Sequence, residues 1–180
     1  MKKLMLAAAM MVATISASAQ VYVGGSLGFE STKENKDADN LTKFSINPEV
    51  GYNLDENWAV GIQLGYSNVE IMTDKRESKF TIAPYARYTF AKSGIASFFV
   101  DGGISFITLG ADTKGSVFGV GICPGVKLAV SNKVDLVAKL GNIGYRSAND
   151  DAVATSSFKK NEFNFGIDGN TLQFGVYFNL

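Results

Sequence analysis

Five charged residues stand where an alternating chain would turn them away from its apolar face: Glu49, Arg87, Asp101, Lys127 and Lys139. Enclosed together, two acids and three bases have two possible uses. They can satisfy one another as buried ion pairs and plug the space around them, or they can gate a conduit for ions or protons. A carboxylate pair working as acid and base is a third chemistry, but no cluster of exposed Asp or Glu stands out to supply it. His 0 removes every Ser-His, Cys-His and His-metal mechanism, and Cys 1 removes an internal disulfide. Cys123 sits between Gly121 and Gly125 on the same face as the charges and reads as a small buried filler. Asn149-Asp150-Asp151 misses the spacing of a calcium loop. No metal set or cofactor motif emerges, and with Lys+Arg 17 against Asp+Glu 17 no polyanion such as nucleic acid is advertised as a partner.

The elements that must position these charges are strands. The 180 residues suffice for one domain, and a 46% hydrophobic content excludes disorder. Residues 1–19 read as a cleaved signal peptide. Lys2 and Lys3 precede the apolar run Leu4 to Ile15, and Ala17-Ser18-Ala19 supplies the cleavage site before Gln20. That run is too short to cross a bilayer as a helix. The remaining domain, 20–180, alternates apolar and small or polar residues in eight stretches: 21–30, 44–53, 58–67, 80–90, 98–106, 118–130, 134–141 and 172–180. Phe163, Phe165 and Ile167 alternate in the opposite parity to the last stretch, which predicts a bulge or turn near Asp168-Gly169-Asn170. Connections 31–42, 67–78 and 147–162 are long and polar, 109–115 is intermediate, and 54–57, 91–97 and 131–133 are short. Long and short connections alternate, as in an up-and-down meander.

Aromatic residues decide which face meets what. A 54–57 turn centred on Asp55 sets Tyr52 opposite Trp58 and Phe44 opposite Tyr66, and a 91–97 turn centred on Gly94 sets Phe90 opposite Phe98 and Arg87 opposite Asp101. Aromatics then gather at both strand ends with Val, Ile and Leu between them, which is the two-girdle pattern of a membrane barrel. The fold class expected is therefore all-β: an eight-stranded antiparallel up-and-down transmembrane β-barrel. A soluble exported ligand-binding barrel is the alternative architecture. The opposite face carries many of the 19 glycines together with Gln63, Tyr85 and Tyr177, which suits a narrow interior. Pro48, Pro84 and Pro124 fall on the apolar face, and each should cost a ladder bond and leave a bulge or weakened pair. Phe44-Ser-Ile-Asn-Pro48-Glu-Val-Gly-Tyr52 echoes Phe80-Thr-Ile-Ala-Pro84-Tyr-Ala-Arg-Tyr88, which suggests duplicated hairpins.

With these patterns in place, the chain resembles the small eight-stranded outer-membrane β-barrel family, in the forms typified by OmpX and the OmpA transmembrane domain. The resemblance spans residues 20–180. Its most specific piece is the alternation Leu172, Phe174, Val176, Phe178, Leu180, which is similar to the family's C-terminal assembly signal. The resemblance implies an integral protein of the Gram-negative outer membrane, monomeric, with outer-membrane lipids and lipopolysaccharide around it and the barrel-assembly machinery as its partner during biogenesis. It implies a structural or surface-interaction role in envelope integrity or adhesion; enzymes exist on such barrels, and it is the missing histidines that argue against enzymatic activity here. A narrow pore for small solutes and a soluble periplasmic binding barrel are the competing functions. The charge-mixed segments Lys33 to Asp37 and Thr73 to Glu77 read as solvated loop tips that can also meet lipopolysaccharide phosphates or a host surface.

Overall fold

The fold is given by a computed structural model, which describes residues 20–180 apart from 33–40, 72–74, 112–113, 157 and 167–171. The strands are β1 (Val21–Thr32), β2 (Leu41–Asn53), β3 (Trp58–Ile71), β4 (Lys75–Ser93), β5 (Ala96–Ala111), β6 (Gly115–Ala129), β7 (Val134–Leu140), β8 (Asn142–Ala148), β9 (Asn161–Gly166) and β10 (Leu172–Asn179). One short helix, α1 (Asp150–Thr155), lies between β8 and β9. Neighbours pair antiparallel from β1 through β6; β6 then pairs with both β7 and β8, β8 with β9, and β10 joins β7 to β1. β7 and β8 form one interrupted strand and β9 and β10 another, so the sheet is a closed eight-stranded barrel.

The apolar face is the outer one. Val60, Ile62, Ile82, Ile104, Val120, Ile122 and Leu136 are all exposed, while the alternate residues turn inward. Aromatics stand at two levels on this outer wall. Trp58 pairs with Tyr88, their rings 4.8 Å apart, at the end bearing the short turns. Tyr66 pairs with Phe80, and Phe106 with Phe118 at a ring separation of 5.3 Å, toward the other end. Tyr52, Phe90 and Phe98 are exposed as well.

Several pairings differ from those expected. Tyr52 lies opposite Val60, not Trp58, and Phe44 opposite Asn68, not Tyr66, because the turn is centred one residue later, on Glu56. The Asp55 side chain sets that turn by accepting the backbone N–H groups of Asn57 (2.7 Å) and Trp58 (2.8 Å). Those two donors also hold its carboxyl below the ordinary value. Phe90 is not opposite Phe98, since a bulge between Thr89 and Ala91 shifts the register and sets Phe98 against Ala91. The 67–78 connection is mostly strand, because β3 and β4 pair as far as Ile71 and Lys75. Lys75, Arg76 and Glu77 of the supposed loop tip therefore belong to a ladder. The turn foreseen at Asp168-Gly169-Asn170, the segment Lys33 to Asp37 and the leader 1–19 lie outside the described residues.

Each proline breaks the wall on one side only. Pro48 keeps its partner Gly25 on β1, yet the β2–β3 ladder skips from Ile46↔Tyr66 to Glu49↔Gln63. Pro84 keeps Ile62 on β3, and the β4–β5 ladder skips from Ile82↔Phe106 to Tyr85↔Gly103. Pro124 keeps Val100 on β5, and the ladder to the next strand breaks between Ile122↔Ile143 and Gly125↔Lys139. A proline lacks the N–H that the following strand needs. At this third break Gly141 takes φ 68°, a left-handed conformation in which other residues are strained. The bulge there reverses the inward parity, from Asp135, Val137 and Lys139 on β7 to Asn142 and Arg146 on β8, which line the interior cavity.

Candidate functional site: the barrel lumen

The candidate site is the inside of the barrel, and it is layered. Glu49 from β2, Arg87 from β4, Asp101 from β5 and Lys139 from β7 converge at one level, all of them buried. Arg87 and Asp101 are register partners, and the guanidinium grips the carboxylate twice, Nε to Oδ1 at 2.6 Å and Nη2 to Oδ2 at 2.8 Å. Such a two-point, charge-assisted contact is strong and fixes orientation. Lys139 Nζ donates to Glu49 Oε2 at 2.8 Å and lies 3.2 Å from Asp101 Oδ2. Arg87 Nη2 reaches Glu49 Oε1 at 3.3 Å. Two positive and two negative charges therefore close into one ring with no net charge.

Aromatic rings fill what the charges leave. Tyr177 donates to Glu49 at 2.8 Å, Tyr85 donates to the same carboxylate, and Tyr22 and Tyr85 share a hydrogen bond of 2.6 Å. The guanidinium carbon of Arg87 lies 4.0 Å from the Phe99 ring centre and between 5.2 and 5.7 Å from those of Tyr177, Tyr85 and Tyr22. Tyr22, Ala59, Phe99, Val137 and Tyr177 form a single buried cluster around it. The inward glycines are the seats of these rings. A Cβ on Gly51 would lie 2.2 Å from Tyr22, one on Gly61 2.4 Å from Tyr85, one on Gly24 2.6 Å from Tyr177 and one on Gly125 2.4 Å from Phe99. Only a hydrogen at those positions lets a flat ring lie against the wall. The result is a packed floor across the lumen.

Lys127 is not part of this ring. It sits nearer the short turns, 3.3 Å from Asp135, and Asn179 donates to the same Asp135 carboxylate at 3.1 Å. Asp135 is a buried partner that sequence reasoning passed over. The signal was present, since it shares the inward parity of Val137, the register partner of Lys127, two residues along β7. Tyr22 was also missed as a floor residue, although it shares the inward parity of Gly24 and Ser26 on β1.

Beyond the floor, toward the long connections, the lumen holds a cavity of about 480 Å³. It is lined by Ser45, Asn47, Gln63, Thr81, Ser105 and Asn142 among others, with Asp101 and Lys139 of the floor at its base. Cys123 also lines it, donating from Sγ to the Gly141 carbonyl at 3.0 Å. Higher still, α1 folds against the start of β6. Asn149 caps the helix by accepting the Ala152 N–H at 2.9 Å and also takes the Ser116 N–H at 3.1 Å. Ala152 packs with Leu109, Val117 and Ala148, and Ile107 and Phe158 rest on that group. Asp150 is engaged by Lys160 at 2.8 Å. Asp150 and Asp151 thus belong to a helix start, in keeping with a spacing that misses a calcium loop. Among the described residues no group of three His, Cys, Asp or Glu is placed to hold a metal.

The terminal alternation forms the closing seam. β10 pairs with β1 from Tyr22↔Asn179 to Gly28↔Gln173, and the Leu180 N–H reaches the Val21 carbonyl at 2.9 Å. Phe174, Val176, Phe178 and Leu180 face outward, while Leu172 is half-buried where β10 begins.

The family model of the outer membrane protein beta-barrel domain matches residues 4–177. Among solved structures, the Neisserial surface protein A is similar with a TM-score of 0.59 at 16% identity, covering 91% of this chain and 98% of that one. The outer membrane protein OprG of Pseudomonas aeruginosa aligns with a TM-score of 0.49 at 10% identity, over 88% and 93% of the two chains. No curated protein matches the sequence.

Proposed function

This chain belongs to the outer membrane protein beta-barrel family, and from that premise we propose that it is a sealed, non-catalytic barrel. In this reading its work is done by its outer wall and its surface, in envelope integrity and adhesion. The observation that carries the reading is the floor. Glu49, Arg87, Asp101 and Lys139 are each no more than 6% exposed, and the rings of Tyr22, Phe99 and Tyr177 close the space between them. An eight-stranded barrel has an interior that side chains just fill, and here they fill it at one complete level.

The chain is exported with removal of residues 1–19, inserts as a monomer with help from the barrel-assembly machinery, and meets lipid and lipopolysaccharide along its apolar belt. Its long connections face outward and its termini the periplasm. Reconstitution into planar bilayers tests the seal. The purified protein should give a silent membrane, and steady single-channel openings would overturn the reading in favour of a small-solute pore. Mass spectrometry of the protein from outer-membrane fractions should find a mature chain beginning at Gln20. Recovery in the soluble periplasmic fraction would sink the membrane assignment.

A further inference from the structure

We propose that the cavity above the floor is a binding chamber for a small, uncharged, polyhydroxylated solute of monosaccharide size, entering and leaving from the side of the long connections. Its volume of about 480 Å³ falls within the usual span of ligand pockets, ~300–1,000 Å³. Its lining departs from the usual apolar one. Ser45, Asn47, Gln63, Thr81, Ser105 and Asn142 bring short hydroxyls and carboxamides from five strands to one space. Hydroxyls and carboxamides both donate and accept, so they match a ligand that does the same at several points.

Charge argues for neutrality. Asp101 and Lys139 at the base are already engaged with Arg87 and Glu49. Near the rim, Arg146 and Glu162 are register partners of opposite sign, and Lys79 lies over the Phe158 ring, its Nζ 4.5 Å from the centre. At the base and across the β8–β9 pairing a charged ligand would meet opposite signs side by side, and would gain little there to offset the loss of its hydration.

One group is left over. The Gln63 Nε2 is buried with no hydrogen-bond partner, directly across the ladder from Glu49 of the floor. Native proteins leave few buried donors unpaired, and this one lines the chamber. A ligand oxygen in the chamber would complete it. The floor makes the chamber blind, so the chemistry it offers is capture rather than passage. Capture itself does not depend on the proposed sealing role; only the exit route does, and silence in a planar bilayer reports on that separately.

The test is calorimetric titration of the mature protein, folded in a detergent without sugar headgroups, using glucose and myo-inositol as neutral probes. Gluconate and glucosamine serve as anionic and cationic comparators. The expected result is saturable binding of at least one neutral probe in the millimolar range, with both charged comparators weaker by about tenfold. Gln63→Leu should weaken the neutral probe by about tenfold, and Thr81→Leu, on a different strand, should do so by occupying chamber volume. Each variant is first checked for the heat-dependent gel shift of a folded barrel, and either one that passes suffices. No binding of any neutral probe means a chamber that holds water only, and overturns the proposal. Preference for a charged comparator, or unchanged affinity in a folded variant, overturns it equally.

Discussion

The two halves of the lumen are built from the same alternating strands and treat polar groups in opposite ways. In the floor every charge has a counter-charge within 3.3 Å, every carboxylate has several donors, and rings close the remaining space. In the chamber, short uncharged side chains line a void between the charged floor and a charged rim, and one buried amide nitrogen has nothing to bond. The difference comes from what faces the glycines. Beside the floor Gly24, Gly51, Gly61 and Gly125 each carry an aromatic ring. Beside the chamber Gly65, Gly119 and Gly121 face Thr, Ser, Asn, the Arg146 stem or backbone atoms rather than an aromatic ring, and the space stays open. Charge buried in a barrel is tolerated where it is fully paired and packed. Small polar groups tolerate a cavity because water or a ligand can complete them.

The comparison breaks first at Arg87. Arg87→Leu leaves Asp101 and Glu49 buried with Lys139 alone, and should cost about 3–5 kcal/mol of unfolding free energy in a denaturant titration from lipid vesicles. Arg87→Leu combined with Asp101→Leu removes a charge of each sign and should fall closer to the wild type than either substitution alone. A double variant as damaged as the sum of the singles would show that the floor is not one coupled unit.

Next in size is a control on the outer wall. Ile62→Arg lies beside the floor and Ile104→Arg beside the chamber, both facing outward. Each should lose about 2–4 kcal/mol at mid-membrane, because lipid does not sense what lies behind the wall. Normal assembly of either variant, judged by the heat-dependent gel shift, would invert the assignment of faces. Inside, the halves should differ. Gly61→Ala pushes against Tyr85 and should cost about 1–3 kcal/mol, whereas Ser105→Ala in the chamber should stay within about 0.5 kcal/mol. Equal losses at the two positions, measured by the same titration, would erase the distinction. The smallest expected effect is at the rim. Asn149→Ala removes the cap of α1 and should cost about 1 kcal/mol, read as faster amide exchange in 149–156 with no change at the floor.

Much of this was legible as parity. Period-two alternation marks the barrel wall, and it places Glu49, Arg87, Asp101 and Lys139 inside before any coordinate is known. Parity also carried a signal that went unused. Ile143 and Tyr145 alternate out of step with Leu136 and Leu140, which marks the Gly141 bulge as plainly as Phe163 and Phe165 mark a change before β10. What parity cannot give is height along the barrel axis. Height depends on where each turn is centred, and a shift of one residue in the 54–57 turn moved every β2–β3 pair by two. The Phe90 bulge did the same locally, whereas Lys127 stays out of the ring because it stands two residues nearer the 131–133 turn than Lys139 does. Ring-on-glycine packing was hidden as well, because it joins residues such as Gly51 and Tyr22 from different strands whose heights had to be known first.

The division of the lumen is most directly tested by thiol labelling from outside intact cells, in a Cys123→Ala background. Ser67→Cys lines the chamber, and Lys127→Cys lies below the floor. A membrane-impermeant thiol reagent should label Ser67→Cys in intact cells and Lys127→Cys only after the outer membrane is permeabilised. Labelling of Lys127→Cys in intact cells, or protection of Ser67→Cys there, would contradict a lumen closed at the Glu49–Arg87–Asp101–Lys139 level and open above it.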